Sequence, residues 1–258
     1  MSKTLGAPRP DQASYMLRAA SKDAGRAYKQ QLLDLLDLRP GHTVLDVGCG
    51  PGTDLPALAE RVGAGGRVIG VDQDPAMLAT ARERTAALGT VEIREADAHA
   101  LPVGPGTADR AKIDRVLMHV RSPEEVLSQL HAATRPGALV ALAEPDWDTL
   151  AVDAEDLKTS RAFTRYTSEK VVRHATVGRR LARLAVRAGF RVGTTVANTP
   201  VFTDFADGDH TLGLGRNMQQ AIAEGHIDRA RGEAWFTDLA HGPFYASFTL
   251  VTVVCSRP

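Results

Sequence analysis

The sequence predicts an α/β fold, a mostly parallel sheet with helices on both faces. Three observations predict it. Short β-rich runs alternate with helical periodicities from Val44 to about Glu144. A glycine-rich turn, Gly48-Cys49-Gly50-Pro51-Gly52, separates the first run from the first helix after it. Residues 138–143 are continuously apolar, as in a strand covered on both faces.

Taken in order, residues 12–38 carry apolar positions at helical spacing, and Arg39-Pro40-Gly41 stops that pattern. One or two N-terminal helices follow from this. Val44-Leu45-Asp46-Val47 reads as the first strand, the glycine turn comes next, and Leu55, Leu58, Ala59 and Val62 mark a helix. Glycines between 63 and 66 break it before a second strand, Val68-Ile69-Gly70-Val71, closed by Asp72. Asp74 is suited to cap a helix over 76–88, with Pro75 at its first position. A strand over 91–94 leads to a loop through Asp97 and Leu101-Pro102 to Gly106. A weaker strand over 110–113 precedes a helix through Val116 and Leu117. Ser122-Pro123-Glu124-Glu125 has the form of a capped helix start, ended by Arg135-Pro136-Gly137.

Beyond Trp147 the alternation gives way to a long, Arg-rich helical stretch reaching Ala188, then a strand over 192–197. A polar, partly helical segment over 204–242 and a β-rich run over 244–255 close the chain. The expected organisation is N-terminal helices over 1–40, an α/β core over 41–148, and lid insertions with the last two strands over 149–258.

With 258 residues the chain holds one large α/β domain with a lid, and is too short for two enzymatic domains. Its 31 basic residues balance 31 acidic ones, so no global field favours nucleic acid or an anionic membrane. Cys49 and Cys255 are the only cysteines, which supplies neither a disulfide framework nor a metal cluster and suits a reducing cytoplasm. No apolar run approaches the ~20 residues that span a bilayer. The expected partner is a small molecule, with no nucleic acid, no membrane insertion and no metal; a homodimer is compatible with the sequence.

A glycine turn between strand and helix lets a ligand approach the backbone and presents helix-start amides to it. Asp72 ends the following strand about 20 residues on, where a carboxylate accepts both hydroxyls of a ribose. The pair indicates a nucleoside cofactor. A dinucleotide fingerprint expects G-x-G-x-x-G, whereas here the third glycine comes one residue early and Thr53 fills its slot. Asp46, two residues before the first glycine, suits a cofactor with an α-amino group. A nicotinamide oxidoreductase is the rival disfavoured by both features.

The run from Val44 to Gly52 resembles the first motif of class I S-adenosylmethionine-dependent methyltransferases. Val71-Asp72, Ala96-Asp97-Ala98, Leu101-Pro102 and Arg135-Pro136-Gly137 resemble that family's later motifs in order. Asp114-Arg115-Val116-Leu117-Met118-His119 is similar to its ubiquinone/menaquinone-biosynthesis-like branch, which methylates small molecules. Two departures are Ala108-Asp109, where Phe-Asp is usual, and Lys112, where an apolar strand residue is commoner.

The resemblance implies a Rossmann-like methyltransferase fold: a seven-stranded, mostly parallel sheet with an antiparallel last strand and a helical lid. It implies S-adenosylmethionine as cofactor and S-adenosylhomocysteine as product, and methylation of a quinone-like or secondary metabolite. The alternative is a non-methylating reaction, such as a cyclisation, on the same fold. Asp46, Gly48, Cys49 and Gly50 would surround the methionine part, Asp72 the ribose, Gln73 and Met77 the adenosine. Asp97 and Ala98 would meet the adenine, and Ile113 completes the cofactor set. His119, just past the fourth strand, is the candidate general base, with an ordinary pKa near ~6.5. His174, His210, His226 and His241 are alternatives in the lid. Tyr15 and Trp147 are the candidate substrate-binding residues, with Phe163, Tyr166 and Phe202 as further apolar walls.

Overall fold

The computed structural model describes residues 23–258, with side chains from residue 26 onward. Helix α1 (Asp23–Leu35) leads to β1 (Thr43–Val47), α2 (Leu55–Val62), β2 (Arg67–Asp72), α3 (Pro75–Thr85) and β3 (Val91–Glu95). Then come β4 (Ala108–Asp114), α4 (Pro123–Ala133) and a long β5 (Thr134–Val152). The remainder is α5 (Leu157–Tyr166), a π-turn (Thr167–Val171), α6 (Val177–Arg187), β6 (Arg191–Asn198) and β7 (Val201–Phe202). Helices α7 (Phe205–Leu212), α8 (Leu214–Ala223) and α9 (Arg229–His241) precede the last strand, β8 (Ala246–Ser256).

The strands form one sheet in the order β3-β2-β1-β4-β5-β8-β6, and the short β7 pairs with β8 as an eighth strand. The pairings from β3 to β5 are parallel, and β8 runs antiparallel to both its neighbours. Strand alternation divides the core. Leu45 and Val47 join Leu127 and Leu130 of α4 and Leu181 and Leu184 of α6 on one face. Val44 joins Leu32 of α1, Leu58 of α2 and Leu78 of α3 on the other. Side chains two residues apart share a face, so a strand buried on both sides needs apolar residues at nearly every position.

The predicted caps form. Asp74 accepts from the amides of Ala76 and Met77, with Pro75 at the start of α3, and Ser122 accepts from Glu125. Three expectations are corrected. No helix runs through Val116 and Leu117; this is a tight turn, His119 N–H to Val116 O at 2.9 Å. The fifth strand does not stop near Glu144 but continues to Val152, because β8 pairs with it through Asp146 and again at Ala151 and Val152 across a bulge. The long helical stretch is broken into α5, the π-turn and α6.

The overhang of β5 and β8 carries a second core. Leu150, Phe248 and Leu250 pack there against Phe163 of α5, Met218 of α8 and Trp235 of α9. This helical cap stands at the end of the sheet where the parallel strands terminate. Among the described residues, no helix is long and apolar enough to cross a membrane.

Candidate functional site

A pocket of about 460 Å³ opens at the C-terminal ends of the parallel strands, within the usual range of small-molecule sites. Gly48 and Gly50 from the turn after β1, Asp72 and Gln73 after β2, and Asp97 and Ala98 after β3 line it. Met77 of α3 joins them, 5% exposed. Arg115, Val116, His119 and Arg121 from the segment after β4, and Arg173 from the segment after the π-turn, complete the lining. Eight predicted site residues, Gly48, Gly50, Asp72, Gln73, Met77, Asp97, Ala98 and His119, thus meet in one cavity although the ends of four strands and one helix supply them.

The glycine turn provides space and few donors. Gly48 and Cys49 both donate to Val71 O, at 2.7 and 3.0 Å, Gly50 to Asp72 Oδ2 at 2.8 Å, and Gly52 to Cys49 O at 3.0 Å. The expectation that this turn offers unpaired amides is therefore corrected at these four positions. Gly48 has φ +74°, and a Cβ there would fall 2.2 Å from Val116 Cγ2. Only glycine lets the turn approach the Val116 side of the cavity.

Asp72 accepts from Gly50 at Oδ2 and from Asp74 at Oδ1, at 2.8 and 3.0 Å. A carboxylate has about four acceptor sites, so each oxygen keeps capacity for a ligand. Asp97 Oδ1 accepts from the amide of His99 at 2.9 Å and lies 2.6 Å from its Nδ1. These contacts hold the Asp97 carboxyl below the usual range. The His99 Nε2 accepts from Ser122 N–H, so the ring proton sits on Nδ1 and faces Asp97. His99, unremarked in the sequence, ties the third-strand loop to the start of α4; only its spacing two residues from Asp97 pointed to it.

These features fit S-adenosylmethionine. The cavity joins a glycine cradle to two carboxylates with spare acceptor capacity, and its spent turn amides suit a cofactor without phosphates.

Three predicted cofactor residues do not line the pocket. Asp46 is 1% exposed, with Oδ1 3.0 Å from Lys112 Nζ, so its carboxylate is turned into the protein. Cys49 is buried, and desolvation, with Asp46 and Asp72 nearby, pushes its thiol well up. Ile113 is fully buried in the core under α4. Lys112, the odd residue of β4, anchors a buried network: its Nζ also reaches Asp54 at 2.7 Å, Lys29 of α1 bridges Asp54 and Asp114 at 2.7 and 3.0 Å, and Tyr28 donates to Asp114 at 3.1 Å.

Of the substrate candidates, Tyr15 lies outside the described residues. Trp147 is part of β5 instead of a loop at the strand's functional end; it stacks on Phe248 at 4.9 Å and donates to Met118 Sδ at 3.3 Å. Phe163 and Tyr166 are buried in the cap core, with Phe202 packed against it. None of these aromatics lines the pocket, and neither do His174, His210, His226 and His241.

The turn carrying His119 is held by a buried acid. Glu144 accepts from the amides of Val116 and Leu117 through Oε1 at 2.7 and 2.5 Å, and from Met118 through Oε2 at 3.4 Å. Before it, Arg115 adopts φ +58°, rare for a side chain of this size, with its amide bonded to Ala143 O at 2.8 Å. Desolvation lifts Glu144 to about 8 against the pull of those amides. His119 is exposed to the cavity; burial, then the charges of Arg115 and Arg173, hold its imidazole below the usual range.

Residues 38–189 match the family described as methyltransferase domain. The chain is 47% identical over 245 residues to an uncharacterized 37.1 kDa protein in transposon TN4556 of Streptomyces fradiae, covering 95% of this chain and 71% of that one. It is 32% identical over 142 residues to a demethylmenaquinone methyltransferase of Bacillus cytotoxicus, covering 54% of this chain and only 60% of the relative. In fold it is similar to geranyl diphosphate C-methyltransferase of Streptomyces coelicolor, crystallised with Mg2+, geranyl diphosphate and S-adenosyl-L-homocysteine. That likeness has a TM-score of 0.57 at 16% identity, over 100% of this chain and 94% of the other.

Proposed function

The chain belongs to the class I S-adenosylmethionine-dependent methyltransferases, and from that premise we propose that it methylates a small quinone-like or secondary-metabolite acceptor held between His119 and the bound cofactor. One observation carries this reading: the glycine turn, Asp72 and Asp97 converge on the same cavity that His119 also lines. The 32% identity to a demethylmenaquinone methyltransferase supports the acceptor class.

Bound S-adenosylmethionine supplies a methyl group already activated on a sulfonium. The protein's task is to align, enclose and, for a hydroxyl acceptor, deprotonate; alignment alone contributes ~7–11 kcal/mol. In this reading Asp72 would receive the ribose hydroxyls, Asp97 the adenine amino group, and Met77 would offer the base an apolar surface. His119, neutral at pH 7 because its pKa is lowered, accepts the proton of the acceptor.

The experiment is incubation with labelled cofactor and pools of phenols, hydroxyquinones and related metabolites, following both label transfer and S-adenosylhomocysteine. Label in an acceptor with stoichiometric S-adenosylhomocysteine is the expected result. Conversion of an acceptor without S-adenosylhomocysteine would establish the non-methylating alternative instead.

A further inference from the structure

The pocket is lined by groups of both signs: Asp72, Asp74, Asp97 and Asp114, and Arg115, Arg121 and Arg173, with His119 among them.

The three guanidiniums differ in how they are compensated. Arg115 Nε donates to Asp114 Oδ1 at 3.3 Å, and its head lies over the Tyr28 ring at 5.9 Å. Arg121 pairs with Glu125 at 3.2 Å. Arg173 makes no ion pair among the described residues; its one hydrogen bond is from Nη1 to His119 O at 3.5 Å. Most of its donor fork is left for something else.

Its position is built. The π-turn Thr167–Val171 brings the chain out of α5, and such turns are frequent at functional sites. Immediately after Arg173, the amide of His174 donates to Met118 O at 3.2 Å, and its Nε2–H donates to Val120 O at 3.0 Å. These two bonds stitch the segment to the turn bearing His119 and set Arg173 beside that imidazole. Burial, and then the guanidiniums of Arg115 and Arg173, hold the His119 imidazole below its usual range.

We infer that the acceptor carries an anionic group, a carboxylate or a phosphate, which docks on Arg173 beside His119. This rests on the reading of the pocket as a methyl-transfer site. A planar guanidinium fork matches either anion with two parallel hydrogen bonds, and His119 keeps its own lone pair for the reacting proton. Arg173 is exposed, so a neutral acceptor would leave its guanidinium to water, whereas an anionic one would engage it.

The test uses protein saturated with S-adenosylhomocysteine and three probes that share a phenyl ring: benzoate, its near-isosteric neutral counterpart benzamide, and phenyl phosphate. At least one anionic probe should bind about tenfold or more tighter than benzamide, the scale of a charge-assisted hydrogen bond. That advantage should fall below about twofold in Arg173→Gln and survive in part in Arg173→Lys, while S-adenosylhomocysteine affinity stays within about threefold of wild type. The relative affinity of benzoate and phenyl phosphate then says which anion the site prefers. Equal binding of benzamide and the anions overturns the inference, as does an anion preference that persists in Arg173→Gln, or binding of S-adenosylhomocysteine with none of the probes. Failure of the wild-type protein to bind S-adenosylhomocysteine at all overturns the methyl-transfer reading, and this inference with it.

Discussion

Lys112 and Asp46 face one another in register on adjacent parallel strands, Nζ 3.0 Å from Oδ1, with side chains 3% and 1% exposed. Lys112 also serves Asp54, so removing it strands two carboxylates in the interior. Lys112→Met should lower stability by ~3–5 kcal/mol, the usual cost of breaking a buried pair from one side. The double variant Lys112→Met/Asp46→Asn should recover part of that loss. Denaturant midpoints of the four proteins measure the coupling; additive losses would mean the two groups do not interact.

The same network sets an acid limit. Burial alone would raise the Asp114 carboxyl, but Lys29 and Arg115 outweigh it and bring it down to about 2; Asp54 is likewise lowered against its burial by Lys112 and Lys29. A carboxyl whose folded pKa is depressed stabilises the fold above its unfolded value, and that stabilisation is lost as pH falls through the folded one. Thermal midpoints should therefore drop steeply between about pH 4 and 2. Lys29→Met should shift the drop to higher pH, and an unshifted curve would separate Lys29 from the titration.

Glu144 has the opposite sign. Its carboxyl is raised from 4.5 to about 8, so the folded state holds a proton that the unfolded state has released, and its contribution declines as pH rises between those values. Glu144→Gln should flatten the decline of thermal midpoint from pH 5 to 8. The variant should also lower kcat, because the glutamine oxygen can accept from Val116 and Leu117 but its NH2 cannot accept from Met118 as Oε2 does, and the turn bearing His119 loosens. A midpoint profile parallel to wild type would show that Glu144 does not titrate in this range.

Asp72 joins two tasks, holding Gly50 and Asp74 and facing the pocket. Asp72→Ala should weaken S-adenosylhomocysteine binding by ~1.5–3 kcal/mol, the scale of hydrogen bonds to a charged group. Asp72→Asn should fall between, since its side-chain oxygen still accepts one bond. Calorimetry at matched pH decides, and unchanged affinity in the alanine variant would exclude Asp72 from the cofactor site.

Why some of this was legible in the sequence and some was not follows from range. The glycine turn, the Asp74 and Ser122 caps and the acids at strand ends depend on neighbours a few residues away, and those signals were readable. Lys112 looked out of place in β4 because its partners Asp46 and Asp54 are 66 and 58 residues distant. In sequence Asp46 points toward the cofactor for the same reason: the cation that claims it, Lys112, lies on another strand. The extension of β5 through Pro145 and Trp147 depends on β8, about a hundred residues on, and no local propensity announces it. Arg173 was one arginine among many until the His174 bonds to Met118 and Val120 placed it at the pocket.

The last prediction concerns His119 as a base. If the acceptor is a hydroxyl, His119→Ala should lower kcat by ~10²–10⁴-fold, the span of general-base contributions. Cofactor affinity should hardly change, because in this reading the imidazole contacts the acceptor and not the adenosine. Burial, Arg115 and Arg173 all favour the neutral imidazole, so the acid limb of the wild-type rate profile should lie below the ordinary histidine value of ~6.5 and vanish in the variant. Arg173→Gln removes one of those charges and should move that limb to higher pH. A structural histidine predicts something different: loss of thermal midpoint with near-normal turnover in the folded fraction. Measuring kcat, cofactor Kd, thermal midpoint and the pH profile on one preparation separates the two. A rate loss under about tenfold with the acid limb intact would remove His119 from the chemistry, leaving an acceptor that needs no base, such as a carboxylate, thiolate or amine.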